Sequence, residues 1–118
     1  MLFRVVSLPE EELAASAAFH ARVLPELLEA LGRLAAAPSP ELLTLVFAPA
    51  DHSHRGWRLA AVQGLAREHA PLRINAVAGD SEAAIAAAAR YLDGAEGVTG
   101  QLLLLDGNGA GEMLSTTA

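Results

Sequence analysis

Residues 73–108 read RINAVAGDSEAAIAAAARYLDGAEGVTGQLLLLDGN, and this stretch decides the fold. With Leu72 before it, the run to Ala78 is apolar and ends at Gly79, the pattern of a strand bounded by a breaker. Asp80-Ser81 then supplies a helix cap, and Glu82 to Leu92 is an alanine-rich helix. Val98-Thr99-Gly100-Gln101 leads into Leu102–Leu105, a second strand. Strand, helix and strand joined by short connections form one parallel crossover unit.

The same alternation extends toward the N-terminus. Leu2–Val6 is short and apolar, and reads as a strand. Ser7, Pro9 and Glu10 look like a helix start, with Ser7 as cap and Pro9 in the first turn. That helix extends to about Ala36, with Pro25 as a point of kinking or division, and the Ala37–Pro40 stretch stops it. Leu42–Ala48 is a continuous apolar run, as in a strand covered on both faces. Arg55–His69 is the next helix, with Trp57, Ala61, Leu65 and Ala66 near helical period. The class is α/β, with about four parallel strands and three crossover helices in residues 1–108 and a flexible tail over 109–118.

Composition narrows the function. Hydrophobic residues are 53% of the chain and aromatics only 4%, so the core is aliphatic. The formal charge of −6 disfavours nucleic acid and anionic membrane as partners. No apolar run reaches the ~20 residues that span a bilayer, and the start turns acidic at Glu10–Glu12 where a leader would be apolar. A cytoplasmic protein is expected. There is no cysteine, hence no disulfide and no thiolate nucleophile. All eight basic residues are arginine, and Tyr91 is the single tyrosine.

Two patterns carry a resemblance. Leu65-Ala66-Arg67-Glu68-His69-Ala70-Pro71 precedes Arg73-Ile74-Asn75-Ala76-Val77-Ala78-Gly79, and Thr99-Gly100-Gln101 precedes Leu102–Leu105 and Asp106-Gly107-Asn108. In this order and separation they resemble the C-terminal half of the short-chain dehydrogenase/reductase family, over roughly residues 59–108. The resemblance implies a truncated Rossmann-like fold and, for the family, NAD(P)-dependent oxidoreduction.

The departures from the family pattern shape the functional expectation. No Gly-rich turn follows the first strand, where the family holds the dinucleotide pyrophosphate on backbone N–H groups. The resemblance places the family's catalytic Tyr and Lys on Asp51 and Arg55. A carboxylate is no phenol donor, and arginine stays protonated and cannot tune a neighbouring donor as lysine does. The chain contains no lysine at all. The family's active-site Asn falls on His20, its Pro before the strand-end glycine on Ala78, and its catalytic Ser loop is shortened to Ala48-Pro49. No catalytic residue and no bound cofactor are expected.

Asp51-His52-Ser53-His54 is the one cluster of catalytic residue types. Its residues suit a divalent metal or a hydrolase, but adjacency in sequence is not triad geometry. A solvated loop capping the next helix, with Asp51 or Ser53 as N-cap, accounts for it, and no metal is expected. With Asn75 and Asp80, these four residues are the candidate ligand or interaction loop at the strand ends, where open α/β sheets bind ligands. Gly107–Gly111 lacks the following helix that a phosphate cradle needs. His20 and His69 read as helix-surface or interface residues, and Tyr91 as a packing residue.

The strand order that the resemblance implies sets the four strands side by side in sequence order, and right-handed crossovers stepping one way then put all three helices on one sheet face. The other face is then an exposed apolar patch of several hundred Å², more than monomers tolerate, and the first strand is an open edge. A homo-oligomer, or a pair with a full-length dehydrogenase, is expected. The functional reading is a non-catalytic structural or interaction subunit. The alternatives are an accessory part of an NAD(P)-dependent oxidoreductase completed by another chain, and a small-ligand binder.

Overall fold

The computed structural model describes residues 1–36, 42–105 and the backbone of 113–115. Its strands are β1 (Leu2–Arg4), β2 (Leu42–Phe47), β3 (Arg73–Ala78) and β4 (Leu102–Leu105), which lie side by side in sequence order and are all parallel. A short β5 (Met113–Ser115) adds an antiparallel edge beside β4, within the stretch expected as a tail. The Ala37–Pro40 stop and the Gly107–Gly111 run lie outside the described residues.

The helix between β1 and β2 does not begin at Ser7. Ser7 has φ +61°, in the left-handed region, and Arg22 Nη2 donates to the carbonyls of Val6 and Ser7 to hold that turn. Helix α1 (Glu12–Ala18) is capped by Glu11, whose carboxylate accepts from the Leu13 and Ala14 N–H groups. The capping role therefore falls on a carboxylate next to the helix, where the first-turn donors favour negative charge.

Pro25 neither breaks nor splits the rod. A wide π-helical turn over Phe19–Val23 joins α1 to α2 (Leu24–Ala35), with the Leu24 N–H reaching Phe19 O. Pro25 lacks an N–H and its ring crowds the carbonyl four residues back, so a widened turn just before it absorbs both demands.

The arrangement of helices corrects the expectation of one bare face. Phe19, Val23, Leu27 and Leu31 of the first rod pack with Val62 and Leu65 of α3 (Arg55–Glu68) against Leu43, Leu45, Phe47, Ile74 and Ala76. Helix α4 (Glu82–Gly94) instead sets Ile85, Ala88 and Leu92 against Leu42, Val46, Val77 and Leu103. Residues 42, 46, 77 and 103 alternate with 43, 45, 74, 76 and 102 along their strands, so the two groups lie on opposite faces. The three crossovers step the same way across the sheet. The one through α4 therefore has the opposite hand to the other two, against the preference for right-handed connections in about 98% of cases.

Two contacts tie α4 to the sheet on that face, and a local cap closes its start. Arg73, at the start of β3, donates to Leu92 O and Ala95 O at 2.7 Å each, and to Asp93 O at 3.3 Å. A cation on the last carbonyls of a helix meets both their unpaired acceptors and the helix dipole. At the other end Ser81 Oγ accepts from the Ala84 N–H. Arg4 of β1 makes a two-bond pair with Glu82, at 2.8 and 3.0 Å.

Candidate functional site

Asn75, Thr99, Gly100 and Gln101, from the two patterns that carried the resemblance, meet in one knot between β3 and β4. Asn75 is fully buried; its Nδ2–H₂ donates to Val98 O and its Oδ1 accepts from the Gln101 N–H, both at 3.0 Å. Thr99 Oγ1 accepts from the Ile74 N–H at 3.0 Å, and the Gly100 N–H donates to Ile74 O at 2.7 Å. Gly100 sits at φ +75°, a conformation that costs a side chain strain and glycine nothing. Asn75, Thr99 and Gly100 thus tie β3 to the entry of β4. Gly79 ends β3 where an added Cβ would stand 3.0 Å from the Leu105 Cβ.

At the opposite, C-terminal ends of β1 and β2 lies a cavity of about 390 Å³. Val5, Leu8, Pro9, Phe47 and Pro49 form its apolar walls, and Arg58, His54, Asp51 and Glu10 its polar ones. Asn75 and Asp80 do not line it. Asp80 is exposed beyond the end of β3, while both polar ends of the Asn75 side chain are engaged in the knot. The structure therefore does not gather the six candidate residues into one site.

Within the Asp51–His54 stretch, the side chains are used locally. Residues His52–His54 form a 3₁₀ turn capped by Asp51, whose Oδ1 accepts from the Ser53 N–H at 3.0 Å and from the Ser53 hydroxyl. These bonds, the hydroxyl's first, hold the Asp51 carboxyl below its ordinary pKa. His54 is buried between neighbours: Nε2 lies 2.8 Å from Glu10 O, and Trp57 Nε1–H donates to Nδ1 at 3.2 Å. Only the neutral tautomer with its proton on Nε2 satisfies both contacts. Neither nitrogen is then open to a metal or to a substrate proton. Among the described residues no three His, Asp or Glu side chains form a metal-binding group.

Arg58 is the residue the sequence reading missed. It is 6% exposed and lies over the Phe47 ring, its guanidinium carbon 4.5 Å from the centroid. Nη1 donates to Ala48 O at 3.0 Å, and Nε has no partner. Burial pushes its pKa down to about 10. A signal was available: Arg58 begins the buried stripe that continues through Val62, Leu65 and Ala66 at helical spacing.

A second concavity, about 470 Å³, runs between the first helical rod and α3. Leu24, Leu28, Ala60, Ala61, Gly64 and Leu65 line it, flanked by His20 and His69. The two histidines bond their own helices through Nδ1, to Ser16 O at 2.7 Å and Leu65 O at 3.0 Å. Tyr91 is 51% exposed on α4, at the surface rather than in the core. No helix among the described residues is long and apolar enough to cross a membrane.

The family model described as short chain dehydrogenase-like protein matches residues 3–105, a span that runs from β1 through β4. No curated protein and no solved structure matches the chain. The match covers the parallel sheet from the second residue of β1 to the end of β4, including the knot that joins β3 to β4, and the chain therefore belongs to the short chain dehydrogenase-like family.

Proposed function

We propose that this chain is a non-catalytic member of its family that serves as a structural or interaction subunit in the cytoplasm, paired with a second copy of itself or with a full-length dehydrogenase. The observation that carries the reading is Asp51. It stands where the resemblance puts the catalytic phenol, and its carboxylate caps a turn through Ser53. No lysine exists in the chain to take the partner role. A hydride-transfer site needs a positioned proton donor near the substrate oxygen, and neither Asp51 nor the doubly bonded His54 supplies one.

The groove between the helical rod and α3 supports the subunit role. Ala60, Ala61 and Gly64 leave the α3 surface shallow, and Leu24 and Leu28 stand beside it as an apolar ridge, with Leu28 45% exposed. Small residues facing a ridge suit the interdigitation of one helix pair with another. A two-fold contact lets the patch cover its own copy. The acidic surface, at −6, keeps nucleic acid and anionic membrane off the partner list.

Titrating the full chain with NADH and NADPH, followed by nucleotide fluorescence, tests the non-catalytic part. No saturable change is expected, and a micromolar Kd would end the reading. Sedimentation of the wild type tests pairing, with a folded monomer at micromolar concentration as the opposing result. The small-ligand alternative keeps one specific observation in its favour, the Arg58 cavity.

A further inference from the structure

The cavity at the ends of β1 and β2 holds a buried cation that no carboxylate among the described residues contacts as an ion pair. Arg58 is more than nine-tenths buried, and Ala48 O is its single hydrogen-bond acceptor. A guanidinium carries five N–H donors in a fixed fork. Its Nε–H is without a partner and closed to solvent, so a ligand in the cavity meets the Nη edge of the guanidinium, and no carboxylate among the described residues pairs with it. The aromatic faces of Phe47 at 4.5 Å and Trp57 at 5.8 Å supply only the weaker cation–π attraction. Burying an unpaired charge is costly unless something completes its shell.

The surroundings select what completes it. The walls near Arg58 are Val5, Leu8, Phe47 and Pro49, an apolar lining for a hydrocarbon body. Glu10 and Asp51 add negative charge, and among the described residues Arg58 is the one Lys or Arg of this lining, with Arg55 in the adjoining cavity on its other side. The planar fork takes carboxylate and phosphate alike, but a dianion meets about twice the repulsion from Glu10 and Asp51 that a single carboxylate does. The volume of about 390 Å³ sits at the small end of ligand pockets, roughly 300–1,000 Å³.

We propose that this cavity binds a small monocarboxylic acid with an apolar body, its carboxylate held by the Arg58 guanidinium and its hydrocarbon part against Val5, Leu8, Phe47 and Pro49. The site lies apart from the groove proposed for pairing, and the two ideas fail by different measurements. Trp57, the only tryptophan, lies against Arg58 and reports on occupancy.

The full chain is titrated with benzoate and octanoate, read by Trp57 fluorescence and by the NMR signal of the Arg58 Nη–H groups. Benzamide serves as the neutral counterpart and inorganic phosphate as the dianion. Saturable binding of at least one acid is expected, with a downfield shift of the Nη–H signal and no response to benzamide or phosphate. Arg58→Met weakens binding by about tenfold to a hundredfold, as loss of a charge-assisted hydrogen bond does. Ala50→Phe, at an exposed position of the cavity lining, keeps Arg58 and abolishes binding by filling the space. The proposal is overturned if neither acid binds at up to about 10 mM, if Arg58→Met binds as the wild type does, or if benzamide or phosphate binds equally well. Should Arg58→Met not fold, the wild-type Nη–H signal decides: no shift at saturating acid overturns the proposal.

Discussion

Asn75 and Arg58 are the two buried polar side chains whose replacement has opposite expected signs. Asn75, fully buried itself, makes two bonds to half-buried backbone groups. Asn75→Ala leaves Val98 O and the Gln101 N–H without their partner, at about 1–3 kcal/mol for each group that water cannot reach. Urea denaturation is expected to show a loss of roughly 2–5 kcal/mol, whereas Asp80→Ala, an exposed change, stays within about 0.5 kcal/mol. Arg58→Met also frees one acceptor, Ala48 O, on an exposed residue where water can replace the lost bond. It removes an uncompensated buried charge as well, whose effective desolvation penalty is several kcal/mol. The second effect is the larger, so without ligand Arg58→Met raises the urea midpoint; a lower midpoint contradicts this ordering. A residue that costs stability when the cavity is empty is the pattern of a binding site.

The helices respond at their ends. Arg73 closes three carbonyls at the C-terminus of α4. Arg73→Met keeps the aliphatic stem and removes the donors, and is expected to cost about 1–3 kcal/mol. Hydrogen exchange should rise first in the last turn of α4, around Leu92; a uniform rise across the molecule would show that the cap does not act locally. Glu11 caps α1 through the Leu13 and Ala14 N–H groups, which hold its carboxyl below the ordinary value of 4.5. A depressed carboxyl stabilises the fold above its unfolded pKa, and that contribution is lost as pH falls through the folded one. Glu11→Gln should therefore melt below the wild type at pH 7, with the gap closing as pH drops below about 4.5. A gap that stays constant with pH would assign the effect to something other than the charge.

The molecule as a whole is a sheet covered on both faces, and this changes which leucine matters. Leu103 is 7% exposed in the α4 core and Leu104 is 37% exposed on the other side. Leu103→Glu buries a charge under α4 at a cost of several kcal/mol and is expected to unfold the chain. Leu104→Glu is expected to leave it folded, by circular dichroism. If the subunit pairs through its helical groove, Leu28→Glu and Gly64→Glu convert a sedimenting dimer to a folded monomer. Dissociation by Leu104→Glu, with both groove variants still dimeric, would move the interface to β4.

The alternation of elements was determined by local sequence: apolar runs at Leu42–Phe47 and Arg73–Ala78 and the periodic stripes of α3 and α4 need no tertiary context to be read. Strand order came with the family resemblance, which sets the four strands side by side in sequence order as they are found. Leu42–Phe47 is buried at every residue, as a strand covered on both faces must be. That signal already conflicted with three helices on one face. Handedness is a statistical preference of crossovers, and here the Arg73 cap, the Arg4–Glu82 pair and the Ile85, Ala88 and Leu92 stripe hold α4 on the other side. The candidate site was less legible. Asp51 and Ser53 bond each other across two residues, so their capping role is local and readable. His54 turning inward to Glu10 O, 44 positions away, depends on how the chain returns over the sheet. Arg58 beside Ala48 and Phe47 is decided by packing between α3 and the end of β2, and no local preference encodes a buried cation without a partner.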